Sequence, residues 1–145
     1  MIQTDFELRD ATSDDAPAIA TLLTELGYPT DAAAVPKRIV SVVENGGAVL
    51  LAVASAGPPL GLMCLDRHLA LHSAAPIAYI TALVTSLAAR RRGVGRALVA
   101  AAKQWALQQG CARISVTSAE HRADAHAFYP ACGLPYTGKR FSTSL

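Results

Sequence analysis

The feature that most constrains this chain is a run of arginines and glycines at the junction of an apolar segment and a helical one. Four arginines and two glycines lie within seven residues: Arg90, Arg91, Arg92, Gly93, Gly95 and Arg96. Residues 77–87 before the run are mainly apolar, and residues 94–109 after it have the pattern of a helix. The first amides of a helix have no partner within it and carry the positive end of its dipole. We therefore predict a seat for a phosphorylated ligand at this helix start.

Other phosphate-binding and nucleic-acid-binding motifs do not fit this run. A P-loop requires Gly-Lys-Ser/Thr, which occurs nowhere in the chain. A dinucleotide-binding turn requires a third glycine where this chain has Leu98. A surface that binds single-stranded nucleic acid is expected to have aromatic residues between its basic ones. No aromatic residue lies between these arginines. We predict that nucleic acid is not the ligand.

The composition predicts one folded domain over residues 1–145. Of the 145 residues, 52% are hydrophobic and 17% are charged, which argues against disorder. No apolar window approaches the length of a membrane span, and the N-terminus lacks the pattern of a signal peptide. Cys64, Cys111 and Cys132 lack the spacing of a metal or redox site and are expected to be buried thiols. These features predict a cytoplasmic protein without a bound metal and without membrane attachment.

The two halves of the chain differ in charge. Residues 1–72 carry nine acids and four bases, a net charge of −5, whereas residues 73–145 carry nine bases and two acids, a net charge of +7. A basic half suits an anionic ligand and an acidic half suits a cationic one, although solvated surfaces would give the same asymmetry.

Hydrophobic periodicity and turn residues predict an α/β protein of order β-α-α-β-β-β-α-β-α-β, with a mixed, mostly antiparallel sheet flanked by about four helices. Ser13 is the expected cap of the first helix, and Pro36 predicts a late or kinked start for the second. The strands are expected at residues 6–9, 48–54, 60–71, 77–85 and 112–117, with one or two closing strands at 136–141. The helices are expected at residues 13–27, 31–44, 94–109 and 122–129.

Two motifs together resemble the GCN5-related N-acetyltransferase (GNAT) family. The first is Arg90-x-x-Gly93-x-Gly95, which is similar to the family's phosphate-seat pattern between its fourth strand and third helix. The second is Ala125-x-x-Phe128-Tyr129-x-x-x-Gly133-Leu134, which is similar to the segment that follows its fifth strand. The motifs occur in the family's order, and the element order of the whole chain also resembles the family.

This resemblance implies acetyl-CoA as the donor. The phosphate seat would be formed by Arg90, Arg91, Arg92, Gly93, Val94, Gly95 and Arg96. Leu83, Val84 and Thr85, at the end of a strand that splays from its neighbour in the family, would line the pantetheine arm. Arg122 stands where many members have an asparagine that contacts the cofactor. An ordinary core strand and a surface arginine are the structural alternatives.

Tyr129 falls on the tyrosine that, in the family, protonates the leaving thiolate of coenzyme A. The alternative is a core aromatic residue, and Pro130 is expected to disfavour a helical backbone at Tyr129. Many members supply a glutamate base from the fourth strand, which here has no carboxylate. Five residues remain as possible bases without a preference among them: Asp66, His68, His72, Glu120 and His121.

In the family, the segment between the first two helices walls the acceptor pocket, so Tyr28 is the candidate acceptor-binding residue. The acidic first half predicts a small cationic amine, either a polyamine or an aminoglycoside-like or amino-acid-like compound. The resulting hypothesis is an N-acetyltransferase that moves acetyl from acetyl-CoA to a primary amine by direct transfer, in a possible homodimer. The alternative is a non-catalytic acyl-CoA-binding or regulatory module on the same fold.

Overall fold

The computed structural model describes residues 5–118 and 123–145. Its strands are β1 (Glu7–Asp10), β2 (Ala48–Val53), β3 (Gly61–His68), β4 (Ile77–Thr85) and β5 (Arg113–Val116). Its helices are α1 (Ala16–Leu26), α2 (Val35–Glu44), α3 (Val94–Gln108) and α4 (Ala123–Ala131). Short 3-10 turns precede α1, α2 and the arginine run, at Ser13–Asp15, Ala32–Ala34 and Leu87–Ala89. None of the helices in the described part of the chain is long and apolar enough to cross a membrane.

The five strands form one sheet in the order β1-β2-β3-β4-β5. Neighbours from β1 to β4 are antiparallel, and β4 pairs with β5 in parallel. The parallel pair follows from α3, because a parallel connection needs a crossover of about a dozen residues or more. The prediction of a mixed, mostly antiparallel sheet with four helices is confirmed.

Both faces of the central strands are buried. Leu51 and Leu62 pack on one face against Ile19 and Leu22 of α1. Met63 and Leu65 lie in the cluster on the other face, which includes Leu98 of α3. Because side chains alternate between faces in a strand, the neighbours Leu62 and Met63 enter different cores, and both have 0% exposure. The sheet is thus a layer between α1 and α2 on one side and α3 on the other.

A capping box begins the first helical segment one residue earlier than expected, at Thr12 instead of Ser13. The Thr12 amide donates a 2.8 Å hydrogen bond to the Asp15 carboxylate. Arg9 donates two more to the same carboxylate, each of 2.8 Å. These bonds, that of Arg9 above all, hold the pKa of Asp15 down to about 2. The network ties the end of β1 to the start of α1.

Proline has different effects in the two helices that contain it. Pro36 lies in the first turn of α2, which begins late as expected, at Val35. The expectations that the last helix stops at residue 129 and that Pro130 disfavours a helical backbone at Tyr129 are wrong, because α4 continues through Pro130 to Ala131. The carbonyls of Phe128 and Tyr129 accept hydrogen bonds from Cys132 and Leu134, of 3.1 and 2.9 Å. The last turn is therefore satisfied although Pro130 has no amide hydrogen to donate.

The expected closing strands at 136–141 are absent from the sheet. Residues 135–145 are exposed and have no strand assignment. Local β-forming residues make a strand only when a neighbouring backbone pairs with them, and here none does. Arg140 instead reaches back to the end of β5, where its Nη1 donates to Thr117 Oγ1 at 3.5 Å. This segment is called the C-terminal tail below.

Candidate active site

The sheet opens between β4 and β5. Their parallel pairing runs from Ile77 opposite Arg113 to Ile80 opposite Val116 and stops there. Strand β4 continues for five more residues, to Thr85. Its register against β3 shifts at the same level, since Cys64 pairs with Ala82 and Leu65 with Ile80, leaving Thr81 as an extra residue. Such a bulge bends the strand, and beyond Ile80 one edge of β4 has no pairing strand among the described residues.

The backbone groups on this open edge belong to Leu83 and Thr85. Val84 pairs opposite Leu62 of β3. A methyl group at Gly61 would lie 3.1 Å from the Val84 carbonyl oxygen, so that oxygen lies on the β3 side. Because backbone direction alternates along a strand, the peptide groups of Leu83 and Thr85 face the opening instead. These two residues therefore direct backbone donors and acceptors into the cleft, where no described strand pairs with them.

The arginine run leads from the end of β4 into the start of α3. Arg91 and Gly93 have positive φ values of 66° and 81°, which turn the chain sharply before the helix begins at Val94. The four arginines are exposed. The amides of Val94, Gly95 and Arg96 lie in the first turn, where helix geometry provides no partner carbonyl. The predicted phosphate seat therefore has the geometry expected of an anion site.

One arginine of the run is already engaged. The guanidinium of Arg92 forms an ion pair with the Asp5 carboxylate. No ion pair within the described ranges involves Arg90, Arg91 or Arg96. These three carry the positive charge that is available to an anion.

Gly95 brings the two sequence motifs into contact. A Cβ atom at this position would lie 3.1 Å from Cζ of Phe128 and 3.6 Å from Oγ1 of Thr85. The Phe128 ring itself meets the Tyr129 ring edge to face, at 5.3 Å between centroids. A residue without a side chain therefore lets α3 approach α4, and this approach fixes Tyr129 relative to the open edge of β4.

Twelve residues line a cavity at the opening, which we call the central cavity: Leu26, Tyr28, Ile80, Thr81, Ala82, Leu83, Val116, Thr117, Ser118, Ala125, Tyr129 and Arg140. It contains Tyr28, Leu83 and Tyr129, which the sequence assigned to acceptor, donor and catalysis. A second cavity, the adjoining cavity, shares Leu26 and Leu83 and is also lined by Glu25, Val84, Thr85, Leu87 and Arg90. The two cavities connect the open edge of β4 with the beginning of the arginine run.

Ser118 is the polar group in the central cavity that most needs a partner. Its hydroxyl oxygen is buried and has no hydrogen-bond partner among the described residues. An unsatisfied buried hydroxyl costs about 1–3 kcal/mol, and a ligand in the cavity could remove this cost. Sequence reasoning missed Ser118, although its place directly after a strand that ends at the site is a usable signal.

Of the five possible bases, three lie away from the opening. Asp66 pairs with Tyr79, and His68 with Ile77 and also stacks on Tyr79. At about 3.3 Å per residue along β4, these pairs lie roughly 13 and 20 Å from Leu83. His72 is exposed in the loop between β3 and β4.

The other two, Glu120 and His121, lie outside the described residues, as does the predicted cofactor ligand Arg122. Within the described ranges, no cluster of three or more histidine, cysteine or acidic residues could hold a metal ion.

The three cysteines are free thiols, as expected, but each is half-buried instead of buried. Burial of the Cys64 thiol nonetheless raises its pKa to about 11. None of the three lines either cavity.

The chain belongs to the acetyltransferase (GNAT) family, whose model matches residues 9–134. A curated relative, aminoglycoside N(6')-acetyltransferase type 1 from Stenotrophomonas maltophilia, is 31% identical over 133 residues, which cover 90% of this chain and 86% of that protein. The sequence-based assignment to this family is confirmed, and the chain is an acetyltransferase.

Solved structures show the same fold. An acetyltransferase from Trypanosoma brucei matches with a TM-score of 0.85 and 19% identity, over 97% of this chain and all of that one. AAC(6')-Iy, solved in complex with the bisubstrate analogue CoA-S-monomethyl-acetylneamine, matches with a TM-score of 0.79 and 18% identity, over 97% of both chains. At these identities the likeness concerns the fold.

Proposed function

We propose that this acetyltransferase moves the acetyl group of acetyl-CoA directly to a primary amine of a small, cationic acceptor. One observation carries the proposal. The unpaired edge of β4 leads from the start of α3 into the central cavity, which Tyr28 and Tyr129 both line. A donor held along that edge reaches the same cavity as an acceptor beside Tyr28.

The donor side has the groups that a phosphorylated, amide-containing molecule needs. The amides of Val94, Gly95 and Arg96 hold the pyrophosphate, and the positive φ of Gly93 turns the chain toward it. The side chains of Arg90, Arg91 and Arg96 add charge, whereas Arg92 must first leave Asp5.

Leu83 and Thr85 bind the pantetheine amides through their backbone. Val84 contributes by fixing the strand, since its own carbonyl faces β3. Arg122 completes the proposed set. The unsatisfied hydroxyl of Ser118 also fits a bound donor, because it provides a hydrogen-bonding group inside the cavity.

When bound, acetyl-CoA supplies an acetyl thioester whose carbonyl carbon accepts the amine. Attack forms the C–N bond and breaks the C–S bond, so the sulfur must gain a proton and the nitrogen must lose one. The Tyr129 hydroxyl donates its proton to the sulfur and regains one from solvent. The proton from the nitrogen leaves to water, since the described lining of the central cavity contains no carboxylate or imidazole.

Three considerations support a small cationic acceptor. The N-terminal half has a net charge of −5, which attracts cations. Glu25 lines the adjoining cavity, next to residues of the open edge. The relative from Stenotrophomonas maltophilia is named as an aminoglycoside acetyltransferase.

We also propose that the enzyme has a single domain, lies in the cytoplasm and acts on small molecules, not on nucleic acids or membranes. Three free cysteines suit a reducing compartment. A homodimer would cover some of the large apolar side chains that the chain exposes, such as Leu69, Leu107 and Phe141. Sedimentation equilibrium of the purified protein tests whether it forms this homodimer.

The test of the reaction is release of coenzyme A thiol from acetyl-CoA, measured with a panel of amines. We expect Tyr129→Phe to lower kcat by about 10²-fold or more with a small change in KM, since the proton donor acts on the leaving group and not on acceptor binding. Tyr136→Phe is the matched control, because Tyr136 is 73% exposed on the tail and lines neither cavity.

No thiol release with any amine, despite binding of coenzyme A, would contradict the proposal and favour the non-catalytic module. Equal losses in the two tyrosine variants would remove Tyr129 from its proposed role. Release with acidic or neutral amines alone would overturn the cationic acceptor while leaving the reaction intact.

A further inference from the structure

The central cavity has an unusual charge for a site that takes a cation. The residues that line it within the described part of the chain have apolar or hydroxyl-bearing side chains, apart from the charged side chain of Arg140. A purely cationic acceptor in this cavity would meet the Arg140 guanidinium, and no carboxylate among the described lining residues. The guanidinium would repel a ligand group of the same charge.

Arg140 has free hydrogen-bonding capacity at this position. Its side chain carries five N–H donors, and the contact to Thr117 Oγ1 at 3.5 Å uses one nitrogen. The ion pairs formed within residues 5–118 and 123–145 do not include Arg140. A guanidinium that lines a cavity in this state is suited to bind a carboxylate through two parallel bonds.

The surrounding hydroxyl groups favour the same ligand chemistry. Thr81, at the bulge of β4, and Thr117, at the end of β5, both line the cavity with Arg140. Hydroxyl groups donate to carboxylate oxygens that the guanidinium leaves unsatisfied. Tyr129 lines the same cavity, so a molecule bound by Arg140 through its carboxylate can present its amine near the proposed proton donor.

From this arrangement we propose that the acceptor is amino-acid-like: it carries a carboxylate that Arg140 binds, as well as the primary amine that is acetylated. This inference rests on the proposed function. Of the acceptors that the sequence suggested (a polyamine, an aminoglycoside-like compound or an amino-acid-like compound), it selects the last. A basic amino acid meets both requirements, since it combines a net positive charge with a carboxylate. Arg140 is then a specificity-determining residue supplied by the C-terminal tail.

The test compares amines that differ only by the carboxylate. The panel pairs L-lysine with cadaverine, L-ornithine with putrescine and L-phenylalanine with phenethylamine, and includes kanamycin as an aminoglycoside. We expect kcat/KM for the reactive amino acid to exceed that of its decarboxylated partner by about 10-fold to 100-fold, as a charge-assisted hydrogen-bonded pair provides.

Arg140→Gln should remove this preference. We expect kcat/KM for the amino acid to fall by about 10-fold to 100-fold, with the value for the decarboxylated amine unchanged or raised. Arg140→Lys should retain part of the preference, because it keeps the charge and loses the bidentate geometry. Lys139→Gln is the matched control, since it removes the same charge from the neighbouring tail residue, which lines neither cavity.

Each outcome of these assays supports or overturns the proposed role of Arg140. Preference for cadaverine, putrescine or kanamycin over the amino acids would overturn the carboxylate inference and leave the acetylation of amines standing. Equal losses for both members of a pair in Arg140→Gln, or equal effects of Lys139→Gln, would also overturn it. An absence of thiol release with every amine would refute the proposed function itself, and the inference with it.

Discussion

Gly61 provides a direct test of how the sheet positions the phosphate seat. This glycine begins β3, is buried, and lies beneath the first turn of α3. A Cβ atom there would lie 2.8 Å from Cγ1 of Val94, 3.2 Å from Cδ1 of Leu98 and 3.1 Å from the carbonyl oxygen of Val84. Carbon atoms in favourable contact are about 3.5–4.0 Å apart. Gly61→Ala must therefore push the start of α3 away from the sheet.

The expected cost follows from these distances. Overpacking a core by one methyl group costs about 1–3 kcal/mol. Replacing a strand glycine by alanine returns about 0.5–1 kcal/mol of backbone entropy. The net loss in free energy of unfolding is then about 1–2 kcal/mol, which lowers Tm by about 3–7 °C for a chain of this size. Displacement of α3 should also weaken binding of coenzyme A by about threefold to tenfold.

Calorimetry gives both quantities, as the melting temperature of the free protein and as the Kd for coenzyme A. Gly138→Ala is the matched control, because its Cβ would meet nothing within 4 Å. Val94→Ala removes the closest obstacle, so the double variant Gly61→Ala/Val94→Ala should be more stable than the sum of the single effects by about 1 kcal/mol. A parental Tm and Kd in Gly61→Ala, or strict additivity in the cycle, would refute the reasoning.

Two further predictions concern titratable groups. Because Arg9 and the Thr12 amide hold the pKa of Asp15 down to about 2, from 3.8, its contribution to stability is present above about pH 4 and is lost as the pH falls toward 2. Asp15→Asn should lower the free energy of unfolding by about 1 kcal/mol at pH 7, a value reduced for the solvent exposure of Arg9. The melting temperatures of the variant and the parent protein should converge near pH 2, and a difference that stays constant with pH would contradict this. Because burial raises the pKa of Cys64 to about 11, iodoacetamide at pH 8 should leave Cys64 unmodified longest in the folded protein. Mass spectrometry measures the alkylation rate of each cysteine, and equal rates at all three would contradict this prediction.

Local sequence patterns predicted the order of the elements well, because they record local interactions. Apolar periodicity located four helices and the five strands of the sheet, and Pro36 predicted the late start of α2. The same patterns failed at Pro130 and in the C-terminal tail. In the first case, hydrogen bonds from residues 132 and 134 complete the last turn of α4. In the second, a β-forming segment has no partner strand, which no local pattern reveals.

The candidate site also has features that the sequence predicted and features that it did not. The arginine run and the Phe128-Tyr129 motif were identified from the sequence, and their assignment to donor binding and catalysis stays a prediction. Their contact through Gly95 and the opening of β4 beyond Ile80 were not derivable from the residues, since both depend on strand register and helix approach. Ser118 comes just after β5, which is a usable signal that was missed, whereas nothing in the local sequence of Arg140 indicates that it lines the same cavity.

The sequence by itself determined the family of this protein and located the arginine run that we propose binds the donor. A helix start with its glycines and arginines is a local structure, so the prediction of a phosphate seat needed only the expected unpaired amides and nearby charge. For the proposed acceptor side the sequence offered Tyr28, and only the tertiary structure showed which other residues line the cavity with it. The central cavity gathers Tyr28 from the turn after α1, Ser118 from the end of β5, Tyr129 from α4 and Arg140 from the tail. These residues are far apart in the chain, so the cavity's charge and shape exist only once the sheet has brought them together.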